Sequence, residues 1–160
     1  MTLTTAQIDT MRTVVQNEPS LAQAVIDKAD NLIAAWCNTE ASPAYVVWKT
    51  KVSDKDIMVS SGFDWTRVDN LSVGKARIWD WLFGFGYINP NDTNVRAAID
   101  ATWVGTAADL AVRAAVYTQC RRNATNLEKA LATGLGTAVS PSIAGYEGEI
   151  DYNVAGLFRI

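Results

Sequence analysis

The chain contains no histidine among its 160 residues and only two cysteines, Cys37 and Cys120. Without histidine, it lacks the commonest general base, the partner of serine and cysteine nucleophiles, and the commonest zinc ligand. The cysteines are not in any metal-ligand spacing, so we expect two buried thiols in a reducing compartment. These absences disfavour most enzyme classes, and the sequence predicts neither a cofactor nor a metal site.

Long apolar runs and basic clusters are also missing. No stretch approaches the roughly 20 apolar residues that cross a bilayer, and the first residues lack the basic start and apolar core of a signal peptide. The net charge is −3 and the isoelectric point is about 4.9. We therefore expect no membrane insertion and no general affinity for nucleic acid.

Carboxylates are the remaining candidates for catalysis. Asp54 and Asp56 lie where a helix is expected to begin, a place that acids favour because of the helix dipole. The acids at positions 147, 149 and 151 alternate with apolar residues and are typical of the solvated side of a strand. Neither group resembles two carboxylates facing each other across a pocket, so the sequence predicts that the protein is not an enzyme.

Helical periodicity dominates the chain as far as Gly134. Helix starts are indicated by a capping-type Thr4-x-x-Gln7 sequence and by Asn89 before Pro90. Ser53 with Asp56 and Thr106 with Asp109 give the same kind of signal. Residues 106–133 then carry an apolar stripe that includes Leu110 and Leu127, which predicts one long helix that stops at Gly134.

Two aromatic features bear on the core. The apolar run at residues 45–48 fits either a short strand or a buried helical turn, and its helical neighbours favour a helix. Six tryptophans are many for this length, and tryptophan is enriched at interfaces. We predict that Trp48 and Trp79 lie in the core and that other tryptophans are available for contacts.

The end of the chain has a different pattern. From residue 146 to residue 154, apolar and acidic residues alternate with the period of a half-buried strand. No sister strand is recognisable elsewhere, so we expect this arm to pair with a neighbouring subunit. The residues predicted to bind that partner are the apolar ones of the arm: Tyr146, Ile150, Tyr152, Val154, Leu157, Phe158 and Ile160.

Together these patterns predict a mainly α fold: a helical bundle with one long C-terminal helix, followed by an extended strand-like C-terminal arm. Residues 1–134 would form the helical body and residues 135–160 the arm. A change of composition supports that boundary, because Gly134 is followed by a connector rich in glycine, serine and proline.

Two stretches resemble a known family. They are VVWKTKVSDKDI at 46–57 and ATNLEKALATGLGTAVSP at 124–141, the latter followed by YEGEIDY at 146–152. They resemble a family of small tailed-bacteriophage proteins that are encoded among the capsid, neck and tail genes. The resemblance covers most of the chain from about Ala44 onward, and the C-terminal stretch is its more specific part.

The resemblance implies a virion or assembly protein. Adaptor rings beneath the phage portal have a similar plan. The expected function is therefore a head–tail connector subunit that docks to the portal through its C-terminal arm, in the virion neck, and that is assembled in the host cytoplasm. The analogy implies a homo-oligomeric ring of twelve that contacts the portal protein and a downstream neck or tail protein. Genomic DNA would pass through its channel without sequence-specific binding. The alternatives are an assembly chaperone absent from the particle, and a decorating or minor tail protein.

Overall fold

A computed structural model describes residues 2–159. The chain divides into two compact units. The terminal unit comprises the described residues up to Val47 together with those from Asn123 onward, and the central unit comprises Trp48–Arg122. This division differs from the predicted body and arm, because the residues after Gly134 belong to the same unit as the N-terminal helices.

The terminal unit is helical. Its core contains Met11, Val15, Ile33 and Leu127, all of which are inaccessible to solvent. Its helices, apart from a 3₁₀ turn at Pro19–Leu21, are α1 (Thr5–Asn17), α2 (Ala22–Ile26), α3 (Asp30–Asn38), α9 (Asn126–Leu131) and α10 (Tyr152–Gly156).

The central unit packs helices around an aromatic core. Phe63, Trp79 and Trp103 meet through ring contacts, with centroids 5.2 Å apart for the two tryptophans. Strands β2 (Val52–Ser53) and β3 (Tyr87–Ile88) pair antiparallel, with Val52 opposite Ile88. The helices are α4 (Asp54–Met58), α5 (Thr66–Asp69), α6 (Val73–Leu82), α7 (Thr93–Thr102) and α8 (Ala107–Gln119).

Several local predictions are confirmed. Thr4 with Gln7, Ser53 with Asp56, and Thr106 with Asp109 each form a reciprocal capping box at a helix start. Both cysteines are free and buried, and burial raises the pKa of each thiol to about 12. Trp48 belongs to the buried core, whereas Trp79 is partly buried against it.

The run at residues 45–48 is a strand and not the predicted helical turn. β1 (Val46–Trp48) pairs with β4 (Arg121–Asn123). Its β-branched valines and tryptophan suit a pleated surface better than a helix. The predicted helix start at Asn89 is also wrong, because α7 begins at Thr93 with Asp92 as its cap.

The predicted single long C-terminal helix is wrong as well. α8 ends at Gln119, β4 follows, and α9 begins at Asn126. The break has two causes. The Cys120 carbonyl accepts from the Lys49 amide at 2.8 Å, and the Ala124 amide donates to the Tyr45 carbonyl at 2.8 Å, so the intervening backbone is committed to β1. Thr125 then starts a new helix through a capping box with Glu128.

The predicted extended strand-like arm is also wrong. Residues 146–154 form no strand, and the described chain ends in a short helix, α10. Asp151 accepts a hydrogen bond from the Val154 amide at 3.0 Å, so it acts as a helix cap. The acidic residue that alternation placed on a strand therefore begins a helix, and the apolar pattern changes its period at that point.

Candidate partner-binding site

The predicted partner-binding residues do not lie on one free surface. Tyr146, Ile150 and Phe158 are buried in the core of the terminal unit. Val154 is partly buried against that core. Tyr152 and Leu157 are exposed, with 60% of the Tyr152 surface accessible. Ile160 lies outside the described residues.

The backbone of the tail forms hydrogen bonds inside its own unit at Gly145 and Ile150. The Asn38 side chain donates to the Ile150 carbonyl at 2.8 Å and accepts from the Ile150 amide at 3.0 Å. One side-chain amide thus supplies the pair of hydrogen bonds that a neighbouring strand would have supplied. Gln7 donates to the Gly145 carbonyl at 2.9 Å. The tail therefore needs no partner strand to satisfy its backbone at Ile150.

The tail is also fixed near its end by charge. The Arg159 guanidinium binds the Asp30 carboxylate through two nitrogens, Nε to Oδ1 and a terminal nitrogen to Oδ2 at 3.0 Å. This pairing lowers the pKa of Asp30. α10 packs against α3, and Arg159 forms an ion pair with Asp30, the first residue of α3. Residues 150–159 are therefore held as part of the terminal unit.

The loop at residues 133–143 exposes two apolar side chains more fully than the described tail exposes any of its own. Leu135 is 75% exposed and Val139 is 96% exposed. The loop base is closed by two hydrogen bonds between Thr133 and Ile143, at 3.0 and 2.9 Å. Val139 therefore lies near the tip of a closed loop. We call this segment the 133–143 loop.

Further contacts hold the 133–143 loop on β1. The Val46 amide donates to the Gly136 carbonyl at 2.8 Å, and the Ser142 amide donates to the Val46 carbonyl at 2.9 Å. The Tyr45 hydroxyl lies 3.0 Å from the Gly134 carbonyl oxygen and 2.7 Å from the Ser142 hydroxyl. A Cβ at Gly136 would lie 2.1 Å from the Tyr45 ring, and its φ of +64° also favours glycine.

A cleft of about 300 Å³ lies in the central unit. Phe63 and Ile57 are buried in the core, whereas Trp65 and Met58 are about half exposed. The cleft is lined by Asp54, Ile57, Met58, Phe63, Trp65, Val68, Trp79, Asp80 and Phe83. We call it the aromatic cleft. Its residues come from three separate stretches, 54–58, 63–68 and 79–83, so no single sequence motif predicts it. The available signal is the recurrence of aromatic residues at Phe63, Trp65, Trp79 and Phe83.

Phe63 holds the aromatic cleft together. Its ring stacks on Trp79 at 6.2 Å between centroids and meets Trp65 edge-on at 5.2 Å. Trp79 in turn meets Phe83 at 5.0 Å. Such offset and edge-to-face contacts fix ring orientations, so the walls of the cleft are formed before any ligand arrives.

No group of His, Cys, Asp or Glu among residues 2–159 is arranged to hold a metal ion. Within the same range, every helix is too short or too polar to span a bilayer. Comparisons of the chain with models of known protein families, with curated proteins and with solved structures found no match.

Proposed function

We propose that the chain is a virion structural protein of a tailed bacteriophage, a head–tail connector subunit and not an enzyme. In this proposal it forms a ring in the neck, of twelve copies by analogy with adaptors, between the portal protein and a downstream neck or tail protein. DNA passes through the ring without sequence-specific binding. The ring is built in the host cytoplasm.

The observation that carries this proposal is the 133–143 loop. Apolar side chains at a loop tip are commonly solvent-exposed one at a time and need no explanation. Here Leu135 and Val139 lie on a loop that is held at both ends by backbone hydrogen bonds and at its side by Tyr45. Because the loop is already ordered, a partner that covers it loses little conformational entropy on binding.

The sequence of this loop supports the same proposal. Residues 133–141 lie within the ATNLEKALATGLGTAVSP stretch that most specifically resembles the phage family. Docking through the C-terminal arm, which the sequence predicted, is replaced in this proposal by another surface, because most of the tail packs within the terminal unit. The contacts with a neighbouring subunit or the portal then come from the loop, together with the exposed tail residues Tyr152 and Leu157.

The proposal is tested by counting copies in purified virions of the phage that encodes the chain. Quantitative mass spectrometry against the portal protein should give about one copy per portal subunit. Absence from the particle would instead support an assembly chaperone, and a copy number in the hundreds would support a decorating protein. Either outcome overturns the connector proposal.

The role of the loop is tested with paired double variants. Leu135→Ser/Val139→Ser removes both exposed apolar groups of the loop, and Ile26→Ser/Leu32→Ser removes two exposed apolar groups of the same unit elsewhere. We expect the loop variant to fold normally and to be lost from particles, while the control variant is incorporated. Equal incorporation of both variants would show that the loop does not dock.

A further inference from the structure

The aromatic cleft combines ring faces with acidic groups. Asp54 and Asp80 both line it, and both are exposed. The Asp80 carboxylate has no hydrogen-bond or ion-pair partner among the described residues, and the contact found for Asp54 is with the adjacent Lys55 amide at 2.7 Å. The cleft therefore offers two negative charges that the described part of the chain leaves without a countercharge.

Aromatic faces and carboxylates attract the same kind of group. Ring faces carry negative electrostatic potential and bind cations, and carboxylates pair with cations directly. Among biological cations, a guanidinium is planar, stacks on aromatic rings and presents several N–H donors to carboxylates. Elsewhere in this unit the same chemistry already occurs, with the Arg96 guanidinium 5.2 Å from the Trp48 ring centroid.

The surroundings of the cleft favour a protein segment over a small free cation. Met58 and Trp65 line the cleft itself, and both are about half exposed. A small cation would pair with the carboxylates and leave much of these apolar side chains in water. A polypeptide that inserts one arginine would also have apolar groups to place against them.

From this geometry we propose that the aromatic cleft binds an arginine side chain of a partner protein. The inference rests on the proposed function, since it names the chemistry by which a neighbouring protein in the neck is recognised. The guanidinium stacks against Trp65 or Trp79 and pairs with Asp54 and Asp80, while its aliphatic stem contacts Met58 and Phe83. Lysine binds more weakly because its ammonium does not stack.

The test uses isotope-labelled full-length protein and two small probes. N-acetyl-arginine N-methylamide carries the guanidinium, and N-acetyl-citrulline N-methylamide is its neutral isostere. In low-salt buffer, the arginine probe should shift the indole N–H signals of Trp65 and Trp79 saturably, and leave that of Trp36 in the terminal unit unmoved. The citrulline probe should bind several-fold more weakly, and salt should weaken only the arginine probe.

Matched carboxylate variants locate the charge. Asp54→Asn and Asp80→Asn should each weaken the arginine probe by roughly two- to fivefold, the range for exposed ion pairs. Asp69→Asn removes an exposed acid of the same unit that does not line the cleft, and should leave binding unchanged. An equal loss of affinity in all three variants would show that the probe responds only to the overall electrostatic potential of the unit, and would contradict the proposal.

Three further results would overturn it. Equal binding of the two probes would make the cleft a purely apolar site, and tetramethylammonium binding as tightly as the arginine probe would make it a site for a small onium ion. Unmoved Trp65 and Trp79 signals at saturating probe would mean no site. These outcomes are independent of the copy number in virions. If the protein is present at a dozen copies but does not bind the arginine probe, only this inference is refuted. If it binds the arginine probe but is absent from virions, only the proposed function is refuted.

Discussion

The terminal and central units differ in the side chains that they bury and in those that they leave exposed. Five of the six tryptophans lie in the central unit, where Trp103 is fully buried while Trp65 and Trp81 are exposed. The terminal unit has a largely aliphatic core and uses polar side chains, such as Asn38, to satisfy its own tail. The terminal unit thus satisfies the backbone of its own tail at Ile150, whereas the central unit leaves two of its five tryptophans exposed.

The largest expected effect tests whether the tail belongs to the terminal unit. Phe158 is fully buried, so Phe158→Ala should lower the free energy of unfolding by about 3–5 kcal/mol. Chemical denaturation followed by circular dichroism measures this. Tyr152→Ala, at an exposed position of the same segment, should change stability by less than about 0.5 kcal/mol. Similar small effects from both substitutions would show that the tail does not pack in the core of the terminal unit and is a free arm.

The next effect separates two leucines of the predicted long helix. Leu127 is fully buried in the terminal unit, and Leu110 is exposed in the central unit. Leu127→Ala should cost about 2–5 kcal/mol, because a buried cavity forms, and Leu110→Ala should cost a small fraction of that. Urea unfolding of both variants decides the point. Comparable losses would indicate one continuous stripe and hence one long helix.

A smaller effect is the acid sensitivity of the central unit. Hydrogen bonds from the Arg67 side chain and from Thr106 lower the pKa of Asp109 from 3.8 to about 2. A carboxyl group whose pKa is lower in the folded state stabilises the fold at pH values above its pKa in the unfolded state. That stability is lost as the pH falls through its pKa in the folded state. The urea concentration that half-unfolds the wild type should therefore decrease as the pH is lowered from about 4 to about 2.

The Asp109→Asn variant tests the source of that sensitivity. It should be less stable than the wild type at neutral pH and should lose less stability between about pH 4 and pH 2. Asp69→Asn, an exposed acid of the same unit, should follow the wild-type curve. If Asp109→Asn and the wild type give parallel curves, another carboxyl group controls the acid response.

The sequence predicted helix starts correctly where two capping residues lie three positions apart, but not at Asn89 with Pro90. Thr4 with Gln7 and Ser53 with Asp56 form the capping boxes that their spacing indicated. Thr125 with Glu128 carries the same signal and forms a capping box, but the apolar stripe runs through it and favours a single helix. A helix period that continues across a capping sequence does not show that the helix itself continues.

Features that depend on distant residues were not predictable in this way. The tail needed Asn38, more than 100 positions earlier, to replace a partner strand, and alternation alone carries no information about such a side chain. The aromatic cleft likewise depends on Phe63 bringing Trp65 and Trp79 together. The prediction that tryptophans other than Trp48 and Trp79 are available for contacts is confirmed for the exposed Trp65 and Trp81 and is wrong for Trp103, which is fully buried.

The central claim is that residues 145–159 fold within the terminal unit before any partner binds. Hydrogen exchange of the isolated monomeric protein, read by NMR, tests it most directly. We expect the amides of Ile150, Ala155 and Phe158 to be protected to a similar degree as that of Ile33 in the same core. Exchange of the three tail amides at the rate of an unfolded chain, with Ile33 still protected, would contradict the account.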